Sequence, residues 1–149
     1  VAKLFNAQVL EYTIHNGFDL ALKEALGDEA LNTVTSDNKV LVIEGSILFH
    51  IDKNNAPSLW ENIGDNFVSK VVRPVSRSRI RIIIAETSSG DLKKGRSEVE
   101  QKIKLELNKL FIEKGLSCDG VLLSDIRIIG ERNDMPLDQI KDNKVLFSG

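Results

Sequence analysis

Residues 67–85 read FVSKVVRPVSRSRIRIIIA, and the fold turns on whether this stretch is strand or helix. Arg77, Arg79 and Arg81 alternate with Ser78, Ile80 and Ile82, the period of two that a half-buried strand shows. Val72, Val75, Ile80, Ile83 and Thr87 fit a helical stripe nearly as well. In the helical reading Pro74 must sit in a first turn or a kink, because its ring fixes φ and removes a donor. Periodicity alone leaves both readings open.

Toward the amino end the pattern is plainer. Leu10, Tyr12 and Ile14 fall on one side of residues 8–16, with Glu11, Thr13 and His15 on the other, as in a half-buried strand. Asp19 then precedes LALKEAL and Gly27, which reads either as a short helix or as an irregular connection. Residues 40–52 form the clearest strand. Leu41, Ile43, Ile47, Phe49 and Ile51 share one face, and Gly45 among them marks a bulge or a close backbone approach. Ser36-Asp37-Asn38-Lys39 reads as a tight turn that pairs Val40 onward with a strand ending near Val34. Asn55 and Pro57 predict a capped helix with Leu59, Trp60 and Ile63 inward, stopped by Gly64, and Asp65 can cap the next stretch.

Toward the carboxyl end, Ser97 to Lys114 predicts a helix opened by a Ser97/Glu100 capping box and closed by Gly115. Val99, Ile103, Leu107, Leu110 and Phe111 line one face, and Glu98/Lys102 and Glu100/Lys104 are favourable i,i+4 pairs. A turn at Cys118-Asp119-Gly120 leads into a strand from Val121 to Ile129. Strands, then helices, then a strand make an α+β pattern.

A length of 149 residues suits one domain with a real core. A single cysteine excludes an internal disulfide, and Cys118 reads as a small turn residue rather than a reactive thiol. No apolar run approaches the roughly 20 residues that cross a bilayer, and no signal-peptide pattern is present. Catalytic constellations do not assemble. His15 and His50 sit on the polar sides of their strands without metal-ligand spacing, no serine sits in a G-x-S-x-G elbow, and GDLKKG lacks phosphate-loop spacing. No cofactor is implied.

Charge is segregated along the chain. Residues 1–69 hold four basic and ten acidic side chains (net −6), whereas residues 70–104 hold ten and four (net +6). Such an arrangement suits an anionic surface, a nucleic acid or a neighbouring copy of the same chain. Nucleic acid is disfavoured, since no aromatic interleaves with the arginines and the isoelectric point is near 5.7.

In order along the chain, TSDNKVLVIEGSILFHID from Thr35, LWENIG from Leu59, KVVRPVSRSRIRIIIAETSSGDL from Lys70, RSEVEQKIKLELNKLFIEKGL from Arg96 and VLLSDIRI from Val121 resemble the stomatin/prohibitin/flotillin (SPFH, band-seven) domain. The likeness spans about residues 34–129 and is nearer the prohibitin-like and stomatin-like branches. It implies an α+β fold, an antiparallel-rich sheet with helices packed on one side, and it makes residues 67–85 helical. Arg73, Arg77 and Arg81 then stack as a basic stripe while the isoleucines turn to the sheet.

The resemblance further implies a non-enzymatic, membrane-associated scaffold that forms homo-oligomers. Its partners would be a membrane protease or other membrane protein, and an anionic lipid surface. The candidate self-association or surface-binding residues are Arg73, Arg77, Arg79, Arg81, Lys93, Lys94 and Arg96, with charge reversal at Arg77 and Arg81 expected to weaken self-association without unfolding. A nucleic-acid or anionic-surface module using Lys70 to Arg96 is the alternative. The family's membrane anchor and long coiled coil are expected to lie outside this chain, whose ending from Met135 reads as a turn and short strand.

Overall fold

A computed structural model describes residues 9–21, 23–25, 27–51 and 68–132. The helix expected after Asn55, with Leu59, Trp60, Ile63, Gly64 and the cap Asp65, lies outside the described residues, as does the segment from Met135.

The sheet is organised around one long strand. β1 (Leu10–Ile14), β4 (Leu31–Val34), β5 (Lys39–Ile51) and β6 (Leu116–Glu131) are antiparallel neighbours, while β2 (Phe18–Asp19) and β3 (Glu24–Ala25) form a separate small hairpin. The described residues of the LALKEAL stretch belong to that hairpin rather than to a helix, with Lys23 at a positive φ of 55°. β1 and β4 lie along the same edge of β5, against Gly45–Phe49 and Val40–Ile43 respectively, and β6 runs along its other edge from end to end. The β4–β5 connection is the tight turn read from Ser36–Lys39, with Val34 opposite Val40 and Asn38 at φ 63°.

Alternation decides which face is core. Leu41, Ile43, Ile47, Phe49 and Ile51 of β5 are buried, and Tyr12, Ile14, Leu31, Leu116, Cys118 and Leu123 join them from the flanking strands. Gly45 lies in this row because β6 crosses too close for a side chain. A Cβ there would overlap the Leu122 carbonyl, where the β5–β6 register shifts between Glu44 and Gly45. β6 begins at Leu116, so Cys118-Asp119-Gly120 is strand rather than turn. Of the three register shifts between β5 and β6, the one between Leu48 and Phe49 lies opposite this stretch.

Over the described residues 68–85 the stretch is helical. A π-turn over Val68–Val72 leads into α1 (Arg73–Ala85). Ile80, Ile83 and Ile84 are buried while Ile82 is 41% exposed, a pattern with the helical period that a strand would not give. Pro74 occupies the first turn of α1, directly after the π-turn, where its ring fixes φ and supplies no N–H to the turn before it. α2 (Ser89–Lys94) is capped by Ser88, whose hydroxyl accepts from the Asp91 N–H at 3.1 Å.

α3 (Arg96–Glu113) buries Val99, Ile103, Leu107 and Phe111 against the sheet, with Phe111 edge-on to Phe49 at 6.4 Å and 75°. The Ser97/Glu100 capping box does not form. The helix starts one residue earlier, Gly95 serves at once as C-cap of α2 and N-cap of α3, and Glu100 is drawn to the backbone of β6. Lys102 likewise faces Glu86 of α1 at 3.9 Å rather than Glu98. Gly115, with φ 79°, ends α3 in the left-handed conformation that glycine adopts without strain.

Candidate functional site

The basic residues singled out by sequence divide into two groups with opposite environments. On α1, Arg77 is completely buried, and its Nη1 donates to the Glu29 carbonyl at 2.9 Å while Nε and Nη2 have no partner. Arg73 Nε donates to Asp28 Oδ2 at 2.9 Å, and the Tyr12 hydroxyl donates to the same oxygen at 2.7 Å. Burial, with the Asp28 hydrogen bond second, pushes the Tyr12 hydroxyl up to about 12, against an opposing pull from the Arg77 guanidinium. Arg81 is half-buried, and its guanidinium is shifted below the usual arginine range by burial first and by the Arg77 and Arg73 charges next. Arg79 is half-buried. Three cations in a row on one helix repel one another, and the segment before β4 supplies acceptors to two of them, the Asp28 carboxylate to Arg73 and the Glu29 carbonyl to Arg77. The row therefore faces the protein and is not a solvated stripe. Arg77 in particular cannot contact a partner.

The second group stands at the α2–α3 corner. Lys93, Lys94 and Arg96 are exposed, with Lys93 and Lys94 in the last turn of α2, where a cation complements the helix dipole. Arg96 is also structural, since its Nη1 donates to the Leu123 carbonyl at 3.1 Å. Glu100 Oε2 accepts from the Leu123 N–H at 2.7 Å, and Asn108 Oδ1 accepts from the Cys118 N–H at 3.0 Å. α3 thus satisfies backbone groups along the outer edge of β6, a role for Arg96, Glu100 and Asn108 that their spacing in sequence did not announce.

A further device is built on Asp37. Its carboxylate accepts from the Thr35 hydroxyl at 2.5 Å, the Ser89 N–H at 3.0 Å and the Ser89 hydroxyl at 2.7 Å, and the Ser36 N–H donates to the Thr87 carbonyl at 3.0 Å. The β4–β5 turn is thereby clasped to the start of α2. The three donors, Thr35 foremost, hold the Asp37 carboxyl far below the ordinary carboxylate range.

Catalytic geometry is lacking in what is described. His15 Nδ1 is 3.1 Å from Glu44 and His50 Nδ1 is 2.9 Å from Asp119, two separate pairs on the outer face of the sheet. No group of three metal-ligating side chains occurs among the described residues. Burial raises the Cys118 thiol to about 11, which leaves it protonated and unreactive at neutral pH. A cleft of about 380 Å³ opens beside Glu11, Tyr12, Asp28, Ser69 and Arg73, where Asp28 is already taken up by Arg73 and Tyr12. No helix among the described residues is long and apolar enough to cross a membrane.

The chain matches the model of the SPFH domain / Band 7 family over residues 1–131, further toward the amino end than the stretch that carries the likeness in sequence. No curated protein matches it.

Proposed function

Because the chain belongs to the SPFH domain / Band 7 family, whose members are generally membrane-associated, non-enzymatic scaffold or regulatory proteins, we propose that it is the self-associating domain of such a scaffold. It acts by binding, and it organises membrane microdomains or regulates a membrane protein such as a membrane-bound protease. The observation that carries the self-association reading is the segregation of exposed charge. Lys93, Lys94 and Arg96 stand in solvent at one corner, whereas Glu11 and Glu29, from the acidic amino-terminal half, are exposed near β1 and β4. A basic corner on one copy meeting an acidic margin on the next gives a head-to-tail contact, the kind that builds rings or filaments.

Sedimentation of the wild-type chain and of Lys93→Glu/Lys94→Glu across ionic strengths tests this. The reading expects association that weakens with salt and is lost in the double variant, because exposed charges are screened beyond about 10 Å at 0.1 M salt. Identical sedimentation of both proteins at every ionic strength would remove it. The anionic-surface alternative uses the same corner without Arg77, and co-pelleting with phosphatidylserine vesicles in place of self-association would favour it.

A further inference from the structure

The outer edge of β6 has two halves. Over residues 116–123, α3 lies beside it, and Asn108, Glu100 and Arg96 satisfy the Cys118 and Leu123 backbone groups. Arg96 is the first residue of α3, so the helix ends there while the strand continues to Glu131. Beyond Leu123, no group among the described residues pairs with the outer side of residues 124–129. Ile128 and Ile129 remain 48% and 46% exposed. A strand edge left open is a template for another strand.

A notch of about 120 Å³ lies against this open half, with Leu41, Leu92, Ile126 and Ile128 as its apolar lining and Lys93 and Arg96 at its rim. It has room for one branched aliphatic side chain and is too small for an acyl chain. The charge around it is unbalanced. Asp91 is the only carboxylate within Ser89–Arg96, against Lys93, Lys94 and Arg96. Among the other acids, Asp125 is paired with Arg127 at 3.1 Å and Glu131 with Lys39, Asp37 is held by Thr35 and Ser89, and Glu98 stands beside Gly95.

We propose that the open half of the β6 edge and the notch beside it dock an extended acidic segment of a partner protein, which adds to the sheet as a further strand. Backbone hydrogen bonds along residues 124–129 supply the pairing, one aliphatic side chain enters the notch, and carboxylates meet Lys93 and Arg96. Alternate residues of a strand point to opposite faces, so the recognised pattern is aliphatic and acidic side chains at a spacing of two. This goes beyond self-association and needs neither a membrane nor a second copy.

The test is an NMR titration of the isotope-labelled chain with a short acetylated peptide in which valine and glutamate occupy every second position with threonine between them (valine-threonine-glutamate-threonine-valine), so that both fall on one face, its lysine counterpart serving as control. The expected result is saturable shifts of the amides of residues 124–129 and 92–96, weakened by salt and absent with the lysine peptide. Lys93→Glu, which loses no bond among the described residues, is expected to weaken binding about tenfold. Ile128→Asp should do the same while the rest of the spectrum stays native. Shifts centred elsewhere, equal binding of the lysine peptide, or an affinity indifferent to Lys93→Glu would each overturn the proposal. So would a change in sedimentation of the free chain on Ile128→Asp, which would make a second copy the occupant. Phosphatidylserine vesicles shifting the same amides where the peptide does not would assign the site to lipid.

Discussion

The arginines of α1 and the basic corner at α2–α3 have the same charge in sequence and opposite fates in the fold. Arg77 is sealed beneath Glu29, and Arg73 is tied to Asp28, whereas Lys93 and Lys94 reach into solvent. Both groups follow helical spacing. What separates them is what each helix lies against: α1 packs on β4 beside the acidic amino-terminal segment, while α2 contacts mainly α3 and leaves its last turn uncovered. A cation buried among acceptors fixes how elements dock, and one in water is available for a partner.

The largest expected effect belongs to the sealed group. Arg77→Glu places a carboxylate against the Glu29 carbonyl and should destabilise the domain by about 3–5 kcal/mol in urea denaturation. Arg77→Met, which removes the charge and two unsatisfied donors, should lose far less. Equal stability of wild type and Arg77→Glu would show that the two groups do not differ. This also replaces the sequence-derived expectation that charge reversal at Arg77 leaves the fold intact.

Next comes Asp28, the shared acceptor of Arg73 and Tyr12. Asp28→Asn should destabilise by about 1.5–3 kcal/mol, the range for hydrogen bonds to a charged group. Tyr12 gives this pair a pH signature. Its hydroxyl is raised in the folded protein from 10.0 to about 12, so its contribution is complete below pH 10 and is lost as pH rises through 12. Tyr12→Phe should flatten that alkaline fall in thermal melts. An unchanged alkaline slope would dissociate Tyr12 from the cluster.

Arg96 sits between the extremes, exposed yet bonded to Leu123, and Arg96→Ala should cost about 0.5–1.5 kcal/mol together with faster amide exchange near Leu123. The smallest effect belongs to the corner lysines. Lys93→Glu/Lys94→Glu should cost no more than about 1 kcal/mol, from the last-turn helix dipole, while altering association. A stability loss comparable to that of Arg77→Glu would erase the distinction between the groups.

The order of elements was legible because each leaves a local mark. The alternation of residues 40–51, the turn at Asp37-Asn38 and the stripe from Val99 to Phe111 required no tertiary knowledge. Gly45 was legible as a bulge or close approach, though not that the Leu122 carbonyl lies against it. The ambiguity over residues 67–85 was real, since isoleucines at 80, 82, 83 and 84 satisfy both periods, and only the family likeness decided it. The candidate site was far less legible. Burial of Arg77 depends on acceptors contributed from residue 29, and the roles of Glu100 and Asn108 depend on β6. Pattern rules read Glu100 as a cap and as half of a helical ion pair because those partners lie nearby in sequence. The fold offered it a backbone donor instead.

The turn at Ser36–Asn38 has the look of a place to engineer: exposed, polar and at the tip of a hairpin. Such tips are the preferred sites for epitope tags, fluorophores and inserted domains. Here, however, the carboxylate of Asp37 holds Ser89 across 52 positions of chain. An insertion between Ser36 and Asn38 would pull that hinge pin and loosen α2 at the far side of the sequence. The apparently spare loop is therefore a poor point of attachment, and a tag placed there would report on a helix it was never meant to touch.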